Sequence, residues 1–168
     1  MNIDFSTKPK ITINLDPVLE AYCRLKFKTP SHQKEIVINR KLREGQAIYS
    51  KIVSVEYPKR QPFRENPVTF ILPLTKNNQG TLNFRFYKIS KMGEEQLHDE
   101  LEVLMQIWLF KFYKLGYRKK YSQDEITTAI LRGMNLRKNA ANFDAIKKFD
   151  YRCRRKTEED LYLELLTG

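Results

Sequence analysis

The chain has 168 residues, with 31 Lys/Arg against 20 Asp/Glu, a formal net charge of +11, 41% hydrophobic residues and 12% aromatic ones. That length holds one domain, or one with a small appendage, and the apolar content excludes bulk disorder. Two cysteines exclude a disulfide framework, and the longest apolar run, Val103 to Phe110 with Gln106 inside it, is too short to span a bilayer. The N-terminus also lacks the basic-then-apolar pattern of a secretory signal, so an intracellular protein with no membrane contact is expected.

In chain order, Met1 to Lys10 reads as an arm, and Ile11 to Leu15 alternates apolar and polar residues, as a half-buried strand does. Asp16 and Pro17 are the N-cap and first residue of a helix whose apolar face is Val18, Leu19, Tyr22, Cys23 and Leu25, stopped by Thr29-Pro30-Ser31. Glu35 to Asn39 is a second short strand. Lys41 to Val55 carries two signals: Ile48, Ile52 and Val55 have helical spacing, while Ile52 to Glu56 reads extended. Pro58, Pro62 and Pro67 make 57–67 a basic connecting loop.

The clearest β signal is a hairpin. Val68, Phe70, Leu72 and Leu74 alternate, Lys76 to Gly80 supplies the turn, and Leu82, Phe84 and Phe86 alternate on the return. Pro73 demotes the end of the first strand to an edge or bulge. Ser90 opens a long helix with acids in its first turns, where its dipole favours them. Leu97, Leu101, Leu104, Met105, Trp108, Leu109 and Phe112, widened by Val103, Ile107 and Phe110, make it the central core helix, ended by Gly116. Ser122 and Glu125 form a capping box for the next helix, which buries Ile126, Ala129, Ile130 and Met134. Asn139 or Asn142 then caps a helix to about Lys156, with Thr157 to Leu166 restarting or continuing it.

These elements predict an α+β fold: N-terminal strands and a hairpin packed on a central apolar helix, then a helical, basic C-terminal subdomain. The division expected is 1–115 and 116–168. Charge is concentrated in the second part: residues 111–156 hold 14 Lys/Arg and four Asp/Glu, a local +10. Concentrated positive potential recruits polyanions, because each neutralised phosphate releases condensed counterions.

Within that block, residues 143–156 separate into two helical faces. Phe143, Ala145, Ile146, Phe149 and Cys153 form one; Asp144, Lys147, Lys148, Tyr151, Arg152, Arg154 and Arg155 form the other. A capped helix, a polar turn and a basic helix follow the order of a helix-turn-helix with 143–156 as recognition helix. The candidate nucleic-acid contacts are Lys147, Lys148, Tyr151, Arg152, Arg154 and Arg155, with Arg137 and Lys138 reaching phosphates from the turn. Against this, surface helices carry as many cations for solubility, and the turn exceeds the usual three or four residues.

The strand Ile11 to Leu15 with its Asp-Pro-capped helix resembles the opening of ribbon-helix-helix repressors over about a dozen residues, and that resemblance implies base contacts from Thr12 and Asn14. An ordinary edge strand and packing helix fits the same residues. For RNA, Arg85 and Tyr87 on the strand 82–87 offer contacts, with Phe84 and Phe86 expected in the core.

No glycine-rich phosphate loop is present, and His32 and His98 lie far apart in sequence, neither in a ligand pair. Glu94, Glu95, Asp99, Glu100 and Glu102 read as dipole-stabilising acids, and Cys153 as a small core residue. The expectation is a non-enzyme without metal or cofactor, binding DNA rather than RNA and contacting other protein subunits, in the cytoplasm or in a particle assembled there. The same basicity suits a structural subunit of a larger assembly, such as a phage virion or head–tail connector.

Overall fold

The alternation at Ile11 and Ile13 becomes strand β1 (Lys10–Asn14), with both isoleucines buried. The computed structural model describes residues 9–57, 65–73 and 86–167; in its last helix, side chains are described up to Asp150 and at 163 and 165–167. The chain is mixed α+β and divides into two compact units, Met1–Leu104 and Met105–Gly168, with the division inside one long helix.

In the first unit, β1 runs antiparallel to β4 (Pro67–Ile71), pairing Lys10 with Ile71 and Asn14 with Pro67. The other edge of β4 takes β2 (Ile36–Val37) in parallel, so β4 is the central strand of a three-stranded sheet. Val68 and Phe70 face the core with Ile11, Ile13 and Ile36. β4 stops two residues before Pro73, as a missing N–H requires, and Leu72 N–H bonds to Pro9 O at 2.8 Å.

The predicted hairpin needs correction. β4 has β1 and β2 as its neighbours, whereas β5 (Phe86–Ile89) pairs antiparallel with β3 (Ile52–Val55) in a second sheet. The turn at 76–80 and the return strand at 82–85 lie outside the described residues, as do most of the N-terminal arm and of the proline-rich loop. Alternation reports which faces a strand presents, not which strand it joins. Phe86, expected in the core, is 48% exposed.

Pro17 begins α1 (Pro17–Lys26), which buries Leu19, Ala21, Tyr22 and Cys23. Asp16 stands at its N-cap without a side-chain capping bond; its Oδ2 instead lies 2.9 Å from His98 Nε2. The segment 41–56 divides between the two readings: α2 (Arg43–Lys51) holds Ile48 and passes directly into β3, so Ile52 and Val55, which had helical spacing with it, are in the strand. Gly45 permits that packing, since a Cβ there would collide with the Asn39 carbonyl. The buried Glu44 carboxylate accepts a 2.6 Å hydrogen bond from Tyr22 Oη, with Lys26 Nζ at 3.9 Å. Burial first, then Glu44, pushes the Tyr22 phenol well above its ordinary value.

Helix α3 (Lys91–Arg118) opens on Ser90, whose Oγ accepts from Gly93 N–H. Its inner line is Leu97, Leu101, Met105, Leu109 and Tyr113, one residue per turn. The rest of the apolar set is less buried than the sequence suggests. Trp108 and Phe112 are half-buried, their rings 5.8 Å apart, and Val103, Ile107 and Phe110 are exposed by 52, 43 and 37%. Gly116 does not end the helix; α3 continues to Arg118.

In the second unit, the Ser122–Glu125 capping box starts α4 (Gln123–Gly133), with both reciprocal bonds formed. Ile126, Thr127, Ile130, Leu131 and Met134 are buried, while Ala129 is exposed. Asn139 is the cap of α5 (Ala140–Thr167): its Oδ1 accepts from Asn142 N–H and its carbonyl from Phe143 N–H. The helix runs through 156 without a break.

Candidate nucleic-acid interface

Three helices of the second unit are tied by a buried polar network. Asp150 Oδ2 on α5 accepts from Tyr117 Oη at 2.7 Å and from Gln123 Nε2 at 2.5 Å. The Thr127 hydroxyl donates to Gln123 O and receives Tyr113 Oη at 2.6 Å, and the Tyr113 and Tyr117 rings stack at 6.1 Å. With Ile146 and Phe149 also buried, the rotation of α5 about its axis is fixed. Of the predicted cations on α5 whose side chains are described, Lys148 is the exposed one.

Of the residues expected to bind, Arg137 and Lys138 are exposed in the 134–139 connection, and Lys148 is exposed on α5 with its Nζ 5.4 Å from the Phe149 ring centre. Lys147 differs. It is half-buried, its Nζ lies 3.1 Å from Asp124 Oδ1, and the same ammonium is 5.4 Å from the Phe143 ring. A paired ammonium must give up that partner before it can take a phosphate. Tyr151, Arg152, Arg154 and Arg155 belong to the continuous backbone of α5; their side chains lie outside the described set, as does that of Cys153.

Other cations of the unit were counted in the charge block but assigned to no site. Arg118, Lys119 and Lys120 are exposed at the end of α3, and Arg132 on α4. They fall at helix ends, where facial periodicity gives no signal, and only their charge could have marked them. None of Arg118, Lys119, Lys120, Arg132, Arg137, Lys138 and Lys148 has an ion-pair partner among the described residues.

Thr12 and Asn14 point elsewhere than a ribbon-helix-helix opening implies. Thr12 Oγ1 meets Thr69 Oγ1 at 2.9 Å, and Asn14 Oδ1 accepts from Asn66 N–H, so both serve the sheet. Tyr87 is half-buried, and Arg85 lies outside the described residues. His98 does gain company that sequence distance concealed: one ligand-type atom each of His98, Asp99 and Glu102 lie within 4.8 Å of one another. His98 Nε2 is already engaged outside that group, 2.9 Å from Asp16 Oδ2.

No protein-family model matches the chain, and neither a curated protein nor a solved structure shows significant similarity to it. Among the described residues, no helix is long and apolar enough to cross a membrane.

Proposed function

We propose that this chain is a non-catalytic nucleic-acid-binding protein, acting on DNA rather than RNA from the cytoplasm or a particle assembled there. The observation that carries the reading is the set of exposed cations around α5 that lack acidic partners among the described residues. Surface cations kept merely for solubility are commonly interspersed with acids. Among the described residues these cations have no ion-pair partner, which favours attraction for a polyphosphate. In this reading α4 and α5 act in helix-turn-helix order, with Lys148, Tyr151, Arg152, Arg154 and Arg155 toward the duplex and Arg137 and Lys138 on phosphates.

The test is a fluorescence-anisotropy titration of random duplex DNA across a salt series, with a Lys148/Arg152/Arg155→Ala variant alongside. Binding should weaken steeply with salt, and the variant's log–log slope should be shallower by roughly one unit per phosphate contact removed. Absence of binding at low salt would end this reading.

A second reading, a structural subunit of a larger assembly such as a virion or head–tail connector, is favoured by the outer stripe of α3. Val103, Ile107 and Phe110 are exposed at helical spacing, as an interface helix presents its contacts.

A further inference from the structure

On the outer side of α3, away from its buried line, residues 99, 103, 107, 110 and 114 recur at intervals of four, four, three and four. At about 100° per residue they fall within about 80° of one another, on one face. They read Asp99, Val103, Ile107, Phe110 and Lys114, and all five side chains are exposed. The helix is unbroken from Lys91 to Arg118, so this face is set by α3 itself. Lys114 Nζ lies 5.9 Å from the Phe110 ring centre, which keeps cation and aromatic side by side on it. Three large apolar side chains left in water along one line mark a contact surface.

Charge decides what covers it. Before Val103 the exposed residues are acidic, at Glu95 and Asp99; after Phe110 they are basic, at Lys111, Lys114 and Arg118. Neither Asp99 nor Lys114 has an ion-pair partner among the described residues. A carboxylate oxygen of Asp99 stands within 4.8 Å of one of Glu102, while the neighbouring Glu100 takes Lys51 and His98 takes Asp16. Two carboxylates so close attract a cation, and no described cation pairs with either. We infer that two copies of this chain pair through the outer face of α3, antiparallel, about a two-fold axis between residues 106 and 107. That register sets Asp99 against Lys114 of the second copy on both sides of the axis. Val103 meets Phe110 twice, and the two Ile107 side chains flank the axis together. A parallel pair would oppose Asp99 to Asp99 and Lys114 to Lys114, which the like charges forbid. A partner of one charge sign would complement only one end of the face. An isologous contact of this kind is what two-fold symmetry requires.

The face from 99 to 114 is about 23 Å long. A single helix pair of that length buries less than the standard interface of about 1,600 Å², so the dimer is weak and reversible. None of the five residues is among the proposed DNA contacts. The pairing rests on the stripe that favours the structural-subunit reading, and it adds what occupies that stripe.

The experiment is sedimentation equilibrium of the full, nuclease-treated chain over a wide concentration range, with Asp99→Lys, Lys114→Asp and Ile107→Glu variants. The wild type should dimerise reversibly. Each variant should associate at least ~10-fold more weakly, Ile107→Glu because it sets two carboxylates together at the axis. An equimolar mixture of Asp99→Lys and Lys114→Asp should recover a dimer containing one of each, which also shows that both fold. A mixture that fails to recover would overturn the pairing. Self-association that the swaps leave unchanged would overturn it too, while keeping the subunit reading. A wild type monomeric throughout would overturn the pairing and leave the subunit reading only a contact with a different protein. DNA affinity measured on the Lys148/Arg152/Arg155→Ala variant decides the nucleic-acid reading separately.

Discussion

Gly116 lies in the last turns of α3 with Ile126 of α4 against it. A Cβ placed there would be 2.5 Å from Ile126 Cγ1 and 2.6 Å from its Cδ1. Two effects compete on substitution. Alanine in place of a helical glycine gains about 1 kcal/mol of helix propensity. Forcing a methyl group into a filled site costs about 1–3 kcal/mol, and Ile126, 2% exposed, has nowhere to retreat. The clash should win, so Gly116→Ala is expected to lower stability by about 1–2 kcal/mol in urea unfolding. In an Ile126→Ala background both opposing carbons are gone, and the same change should become stabilising by about the propensity difference of ~1 kcal/mol. Additive effects in that cycle would show that the glycine serves something other than this contact. Cys23 shows the same close packing: it is fully buried, and that burial pushes its thiol above the ordinary range.

At the scale of elements, α1, α3 and α4 end alike. Lys28, Lys120 and Asn135 have φ of 52, 64 and 53°, in the left-handed region, and each begins a pair of closing hydrogen bonds. At α3 these are Lys120 N–H to Tyr117 O and Tyr121 N–H to Gly116 O; the other two helices repeat the pattern. Glycine is the usual residue there, and a lysine pays in strain. Lys120→Gly should therefore raise stability by roughly 0.5–1 kcal/mol while weakening DNA binding and reducing its salt slope by about one unit. Higher stability with unchanged binding would remove Lys120 from the interface. The Ser122–Glu125 box supplies a pH dependence. Hydrogen bonds from the Ser122 backbone and then its side chain hold the Glu125 carboxyl below its ordinary value. A lowered carboxyl contributes stability above its unfolded value and loses it as pH falls through the folded one. The midpoint gap between wild type and Glu125→Gln should thus be present at neutral pH and close below the ordinary glutamate range. Such caps are legible because the residues involved are three apart in sequence. Strand partners are not: nothing local in Pro67–Ile71 distinguishes β1 and β2 from the later run as neighbours, because pairing is decided by which apolar faces can be buried together. Gly116 misled for a related reason, since the left-handed turn that stops α3 falls four residues later, at a lysine.

For the whole molecule, the excess charge is plain in the sequence, but its availability is not. Lys147 and Lys148 are adjacent, yet one is paired with Asp124 and the other is exposed, a difference set by the contacts that orient α5. What remains is a chain of net charge +11, with exposed cations at 118–120, 132, 137, 138 and 148 that have no ion-pair partner among the described residues. Like charges held close destabilise the folded state, and salt relieves that repulsion: the screening length is about 10 Å at 0.1 M. Without ligand, the melting midpoint should therefore rise with added salt. Duplex DNA present at about a hundredfold excess over its Kd adds about 2.7 kcal/mol by mass action, so at low salt the complex should melt well above the free protein. Salt then acts in the opposite direction on the complex, because each phosphate contact is lost to competing counterions. The two melting curves, one rising with salt and one falling, should converge where binding ceases. A salt-independent midpoint for the free protein would mean that its cations are neutralised internally after all. Coincident curves at low salt would mean that the surface is built for a protein partner, whose acidic face would then be the ligand to seek.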